Sequence, residues 1–487
     1  MPPEHLRVFG GGASETVLDP VVAIAMIIAI ILIVALPRKY VMVPLFVMLF
    51  LVPLGEQMLV AGVHLYVFRI VILFGLFRML WTKLAAGNTL FAGGFNSVDK
   101  AFLWCTVCQV LAVIVLFLTT EALINQLGFL LDYLGGYAIL RFLLRDEQDL
   151  YRALKCFAVL ALIIGVCMLW EQFTMRNVFG LIGGIASPEV RDGRIRCQGP
   201  FAHQLMAGAF GATLLPLFLI LWKNAKAKAI AVIGALGATL IVWTSNSSTS
   251  LLALAAGVIA ILFWPIRKKM RMVRWGIVAG LVGLQLVMKA PVWFLIAHVD
   301  LTGSSSSYQR AALVDQFIRH FWDWWLIGVK STGSWGWYLW DAQNQYVVVG
   351  ETGGLIAFIL FIALISRSFA RLGESRKVVA GDTGREWFLW AFGAALFSNI
   401  VAFFGVNYFD QTKFAWFSLL AMISAATAPI LQAKLAPKAL PDIAFSNSLA
   451  HSLAPSHSMA RGSSRDSPDT LGKPIQNSRR ALWIRNT

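Results

Sequence analysis

The chain returns again and again to unbroken apolar runs, and this recurrence most narrows what it can fold into. The runs fall at 21–36 and 41–54, then at about 64–82, 101–119, 122–144, 154–173, 204–222, 229–244, 250–265, 275–296, 345–365, 387–405 and 414–431. Most approach the length, about 20 residues, that a helix needs to cross a bilayer. In hydrocarbon every backbone amide and carbonyl must find a partner within its own segment, so such runs become helices. Hydrophobic residues make up 58% of the 487 and charged residues only 14%, too few charges to cover a soluble surface of this size. The expectation is an all-α, polytopic membrane protein with about 12–13 transmembrane helices. The count turns on 41–54, which is short for a crossing.

The net charge of +16 could suit a nucleic-acid partner, but its distribution argues against one. Lys and Arg cluster at 83–100, 141–155, 223–228, 267–274 and 367–385, between apolar runs, where they attract anionic lipid and fix topology. These loops read as cytoplasmic. Loops 175–203, 245–249, 297–344 and 406–413 carry fewer basic residues for their length and fall on the opposite face, the periplasm of a bacterial inner membrane. Thirteen spans then put the amino terminus outside; twelve, with 41–54 as a half-crossing, put it inside. Residues 1–20 lack the basic start of a signal peptide, so 21–36 is expected to stay as a span. Residues 1–432 form the membrane domain, and 433–487, rich in Ser and Pro with few large apolar residues, is expected to be a disordered cytoplasmic tail. Four cysteines (Cys105, Cys108, Cys156, Cys167) lie in or beside apolar runs and only Cys197 in a polar loop, so no disulfide framework is indicated. Cys105 and Cys108 have no second pair and read as helix-packing residues rather than metal ligands. No nucleotide loop, zinc spacing or nucleophile elbow occurs, and no cofactor is expected.

Chemistry concentrates in three polar constellations on the non-cytoplasmic face. The first is 191–203, with Arg191, Arg194 and Arg196 two or three residues apart and His203 at the start of a span. Planar guanidinium forks suit the oxygens of a phosphate or diphosphate; taken singly, each arginine is as well explained by pairing with Glu189, Asp192 or lipid. The second is 244–250, a run of hydroxyls and one amide at a tight turn, for which capping is the stronger reading. The third is the long loop 298–353. Arg310 follows four serines and heads a helical segment whose Leu313, Phe317, Phe321 and Trp324 recur at helical spacing, as expected of an amphipathic helix on the membrane surface with Asp315, Arg319 and Asp323 toward water. Glycines 328, 333 and 336 allow a loop, and Asp341, Gln343, Asn344 and Tyr346 precede the next span. Glu351 lies two turns into it, where an acid is costly unless it faces a cavity or a partner; a structural hydrogen bond explains it nearly as well. Tryptophans 322, 324, 325, 335, 337 and 340 suit interfacial anchoring more than sugar stacking.

The order of these features resembles the O-antigen ligase and polysaccharide polymerase superfamily of bacterial inner membranes. Arg196-Cys-Gln-Gly-Pro-Phe-Ala-His203-Gln is similar to the family's Arg-x-x-Gly-x-Phe-x-His-Pro-Asn. Residues Ser247 to Ala256 resemble its Ser-Arg-Gly-x-Leu-Leu-Ala, with Thr249 where Arg is often found. Arg310, followed by Phe317 to Gly328, resembles the arginine-headed helix of the large periplasmic loop. Asn344-Gln-Tyr346 to Glu351-Thr-Gly353-Gly resembles His-Asn-x-Tyr-Leu to Glu-x-Gly-Leu, but Ala342 or Gln343 stands where ligases of the family carry the proposed basic His. That departure favours a polymerase.

The resemblance implies an undecaprenyl-diphosphate-linked glycan as donor, with chain-length regulators, export proteins and membrane lipids as partners. Arg196 and Arg310, with Arg191 or Arg194, would hold the diphosphate. Asp341, or else Glu351, would take the proton from the acceptor hydroxyl, with His203 or His320 next in line. His203, Arg319, His320, Gln343, Asn344 and Tyr346 would contact substrate. The alternatives are a ligase that transfers finished glycan to lipid A core or another acceptor, and a transporter or flippase without bond chemistry. Against the transporter, Arg69, Asp132 and Lys289 are expected to snorkel from span ends.

Overall fold

The computed structural model describes residues 15–60, 62–87, 89–222, 225–298, 307–336 and 339–435. The amino-terminal start, Trp337 and the expected disordered tail from 436 onward lie outside the described residues. In chain order the helices are α1 (Pro20–Ala35), α2 (Arg38–Leu51), α3 (Val67–Ala86), α4 (Ser97–Phe117), α5 (Thr120–Leu130) and α6 (Gly136–Leu143) joined by a π-turn at Leu131–Gly135, α7 (Glu147–Thr174), α8 (Gln204–Trp222), α9 (Lys228–Thr244), α10 (Ser248–Leu262), α11 (Met270–Val287), α12 (Ser307–Arg319), α13 (Phe321–Trp324), α14 (Gln345–Val378), α15 (Thr383–Ala402) and α16 (Thr412–Leu435). Strands β1 (Gln57–Val60) and β2 (Val63–Tyr66) form one antiparallel hairpin, and β3 (Glu189–Arg191) and β4 (Arg194–Arg196) another.

Each apolar run of the sequence overlaps a helix, 41–54 included. Among the described residues seven helices are long and apolar enough to cross a membrane, and α1, α9 and α10 are shorter apolar helices. The protein is therefore an all-α, multi-pass membrane protein. Local chemistry sets the helix starts. Asp19 accepts the Val21 amide ahead of α1, Asn96 and Asp99 form a reciprocal capping box at α4, and Asn344 accepts the Tyr346 and Val347 amides at α14. Small residues set the closest helix approach. A Cβ on Gly237 of α9 would lie 2.4 Å from the backbone of Ala161 and Leu162 on α7, so van der Waals contact between backbones, the main attraction available in lipid, depends on that glycine.

The basic loops pair with one another at one end of the helices. Arg145 donates to the Thr89 carbonyl, Arg141 to the Ala92 carbonyl, and Arg267 pairs with Glu386 at 2.8 Å. The hairpin β3–β4, the 244–247 turn and the 403–411 loop are tied together elsewhere: the Cys197 amide donates to the Thr244 carbonyl at 3.0 Å, Asn246 Nδ2 to the Ile195 carbonyl, and the Ala202 amide to Asp410 at 3.1 Å.

Three expectations are corrected. The apolar stripe of α12 and α13 does not face lipid: Leu313, Phe317 and Trp324 are buried with Trp335, Leu339, Ala342 and Val347 in an apolar cluster against α14, where close side-chain packing gains van der Waals contact. Asp315 is not on the wet side but buried, accepting from Arg319 at 2.7 Å and from the Trp293 indole at 3.2 Å. Arg69 and Asp132 do not snorkel. Asp132, in the π-turn, takes two hydrogen bonds from Arg69, at 2.8 and 3.1 Å, and one from Lys413 at 3.1 Å, and all three side chains are largely buried.

Helix α14 is broken at Gly354, whose φ of 68° and ψ of −170° leave the helical region. The chain at 325–329 crosses the break and takes up its freed backbone groups, with the Leu355 amide donating to the Trp325 carbonyl and the Val329 amide to the Glu351 carbonyl, both at 2.8 Å. Broken helices survive at membrane depth only where protein supplies such partners.

Candidate functional site

The sequence Asp192-Gly193 builds the first part of the site. Both residues have positive φ, 51° and 72°, the backbone of a two-residue hairpin turn. The resulting register pairs Glu189 with Arg196 and Arg191 with Arg194, so the four charged side chains share one face and Val190 and Ile195 the other. Arg196 lies 3.5 Å from Glu189, and its Nε is buried without a partner. Burial lowers its pKa, an effect that Glu189 opposes and Arg191 reinforces.

From Arg196 to His203 the backbone is held by side chains from elsewhere. Glu171 accepts the Gln198 and Gly199 amides at 3.3 and 3.0 Å, Asn177 donates to the Gly199 carbonyl at 2.8 Å, Gln411 to the Pro200 carbonyl at 2.9 Å, and Asp410 accepts the Ala202 amide. Asp410 is fully buried and also takes the Thr412 amide and hydroxyl. Burial raises its pKa, which those hydrogen bonds oppose. Sequence reasoning missed these four residues.

At the end of this loop His203 Nδ1 accepts the Leu205 amide at 3.2 Å, so Nε2 carries the proton in the neutral ring. Burial lowers the His203 pKa; Glu189 and Asp341 oppose the shift, while Arg196 and Arg310 add to it. The same interactions show that Arg196, His203, Arg310 and Asp341 lie within one electrostatic neighbourhood, although the sequence spreads them over three segments.

Arg310 stands in the first turn of α12. Its Nε is buried without a partner, and its pKa is pushed down to about 10 by burial and then by the positive charges of Arg196 and Arg191. A guanidinium stays protonated even so. Arg191 and Arg196 have acidic neighbours in Asp192 and Glu189, whereas the partnerless Nε of Arg310 is a donor that an anionic ligand would complete. Arg310 lines a cavity of about 160 Å³ together with Ser248, Thr249 and Ser307; its other wall is apolar, formed by Leu252, Ile296, Val401 and Phe404. No carboxylate among the described residues lines it.

Other candidates fall outside this cavity. Arg194 is exposed at the hairpin tip. Arg319 pairs with Asp315, and His320 stacks on Trp335 with its Nδ1 at the Gln316 carbonyl. Gln343 donates to the exposed Asp341 at 2.8 Å. Asn344 caps α14 and donates to the Phe404 carbonyl, while the Tyr346 hydroxyl donates to the Ile400 carbonyl at 3.1 Å. Glu351 is 3% exposed and sits where the 325–329 segment crosses α14. Among the described residues no group of three or more His, Cys, Asp or Glu could hold a metal ion. The 244–250 turn departs from the capping expectation: Ser247 makes no capping bond at α10, and its hydroxyl and that of Ser250 are buried without partners. Of the described loop tryptophans, 322, 325 and 340 are exposed, whereas 324 and 335 are buried. No family model and no curated protein matches the chain.

Proposed function

We propose that the protein is a membrane glycosyltransferase that lengthens a glycan carried on a polyprenyl diphosphate, acting at the periplasmic face of a bacterial inner membrane through twelve or thirteen spans. The observation that carries this reading is the largely apolar cavity with the Arg310 guanidinium in its wall. The Arg310 guanidinium, whose Nε is buried without a partner among the described residues, stands beside an apolar wall with Arg196 and Arg191 near enough to perturb it. An amphiphile with an anionic head suits such a place.

In the reaction an acceptor sugar hydroxyl attacks the anomeric carbon of the donor. The new C–O bond forms as the bond to the diphosphate breaks, and the electron pair leaves on the phosphate oxygen. Arg196 and Arg310 stabilise that growing charge. The acceptor proton passes to a carboxylate; two exposed carboxylates reach His203, and Asp341 is the one not paired with Arg196. His203 itself offers Nε2–H, a donor, in its neutral form, which makes it a poorer base than the carboxylate.

The test is Arg310→Ala and Arg310→Lys in cells that still export the lipid-linked repeat. Loss of one transition-state donor costs about 10²- to 10³-fold, so long-chain polymer should disappear with Ala and return in part with Lys. Unchanged chain length in both, at normal protein level, removes Arg310 from the mechanism. Deleting the protein and sizing the lipid-linked glycans separates the classes: single repeats accumulate for a polymerase, finished lipid-linked polymer for a ligase.

A further inference from the structure

Two helices begin at the cavity. Ser248 and Thr249 are the first residues of the 15-residue α10, and Ser307 and Arg310 occupy the first turn of the 13-residue α12. The opening amides of a helix have no partner within it and carry the positive end of its dipole, so both helices present partial positive charge where Arg310 already stands. The Ser247 side chain makes no capping bond at the start of α10, and within the cavity wall Arg310 Nε is buried without a partner. Gly405 keeps the opposite wall back: a Cβ there would sit 2.3 Å from Thr249 Oγ1. The volume, about 160 Å³, is several times the roughly 30 Å³ share of a water molecule, enough for a phosphoryl group.

The two walls orient the occupant. Leu252 belongs to α10, Val401 to the end of α15 and Phe404 to the loop that follows it, and Phe404 is itself exposed. Arg191, Arg196 and His203 do not line the cavity but lie within electrostatic reach of Arg310, and Asp341 within reach of His203.

We propose that the first turns of α10 and α12, with the Thr249 hydroxyl and the Arg310 guanidinium, seat the lipid-side phosphate of the donor, so that its isoprenoid chain runs along Leu252, Val401 and Phe404 and its sugar-side phosphate reaches Arg196. This rests on the lipid-diphosphate reading and goes further by fixing which phosphate sits where. The consequence is a division of labour. The bond that breaks joins sugar to the sugar-side phosphate, so charge grows most at Arg196 and spreads through the bridging oxygen to Arg310, whereas the contact of the neutral Thr249 hydroxyl with the lipid-side phosphate is about equally strong before and during reaction. Contacts of that second kind lower KM without raising kcat.

The experiment uses the purified full-length chain in nanodiscs, titrated calorimetrically with a polyprenyl monophosphate and, separately, with inorganic pyrophosphate. A hydrogen bond to a charged group is worth about tenfold or more in affinity. Thr249→Val and Thr249→Asp should therefore weaken the monophosphate by at least that factor, with Thr249→Ser binding as wild type does. Arg196→Ala should weaken pyrophosphate and spare the monophosphate. In polymerisation assays Thr249→Val should raise KM, and Arg196→Ala should lower kcat. Monophosphate affinity that ignores Thr249 but follows Arg196 overturns the assignment and leaves the lipid-diphosphate reading standing. Wild-type protein that binds neither probe overturns both. Thr249→Ser is the folding control, since an effect of Val that Ser does not rescue would mark a packing defect and count against the seat.

Discussion

At the residue scale the two arginines and the loop that carries one of them were legible in different degrees. Arg196 and Arg310 stand out because the charge pattern of the sequence assigns their loops to the non-cytoplasmic face, where basic side chains are expected to serve no topological purpose. Glu171 and Asp410 do not stand out, since each is a lone acid whose partner amide lies 28 or 208 residues away. His203 shows what burial among cations does to a titration. Its folded pKa lies below the ordinary 6.5, so just beneath 6.5 the unfolded chain binds a proton that the folded chain does not. Stability therefore rises with pH across that window and is lost as pH falls through it. The melting temperature of the wild type is expected to drop between about pH 7.5 and about pH 5.5, and His203→Gln should flatten part of that slope. Pyrophosphate should also flatten it, because a bound anion offsets the cost of charging the ring. An identical slope in His203→Gln would mean that the ring titrates as freely in the folded chain as in the unfolded one.

At the element scale the apolar periodicity marked the helices, but the break in α14 was invisible. Glu351-Thr-Gly353-Gly354 reads as a tolerated glycine pair inside a helical run; what opens the helix is the segment 325–329, which leaves the end of α13 and has no pattern of its own. The same segment explains why Gly328 and Gly354 are both glycine. A Cβ at Gly328 would meet the Glu351 carbonyl at 2.1 Å, and one at Gly354 the Leu326 carbonyl at 2.5 Å. Gly354 also occupies a backbone region that is essentially closed to other residues, at a cost of about 1–3 kcal/mol. Gly354→Ala is therefore expected to lower the melting temperature in detergent and to displace the loop bearing Asp341, with polymer lost. Gly373→Ala, where a Cβ meets nothing within 4 Å and φ is ordinary, should be neutral or slightly stabilising. Equal melting of the two variants would show that α14 closes over the break without strain. The hairpin β3–β4 was the opposite case, since Asp192-Gly193 is a hairpin signal in the sequence that the surrounding arginines obscured.

Across the whole molecule, hydropathy decides how many helices there are and charge clusters decide how their ends group, but neither says which helices touch. The clearest instance is the trio on α3, the π-turn before α6 and α16. Arg69 and Asp132 are 63 residues apart and Asp132 and Lys413 are 281 apart, and in sequence each resembles a stray charge near a span end. In the fold they form one buried network, with both cations on a single carboxylate, and Phe68 and Phe414 packed against the Lys413 ammonium. Removing one member of a buried pair costs about 3–5 kcal/mol, because it strands the other's charge, whereas losing a surplus charge costs far less. Asp132→Asn strands two cations. Arg69→Met strands none, since Asp132 keeps Lys413. The expected order of melting temperatures is thus wild type, then Arg69→Met, then Asp132→Asn well below both, measured on the full-length chain in one detergent, with membrane yield falling in the same order. Asp132→Asn melting level with Arg69→Met would mean that water reaches the network and screens it, and the three charges would then be lining a wet path through the bundle instead of pinning its helices together.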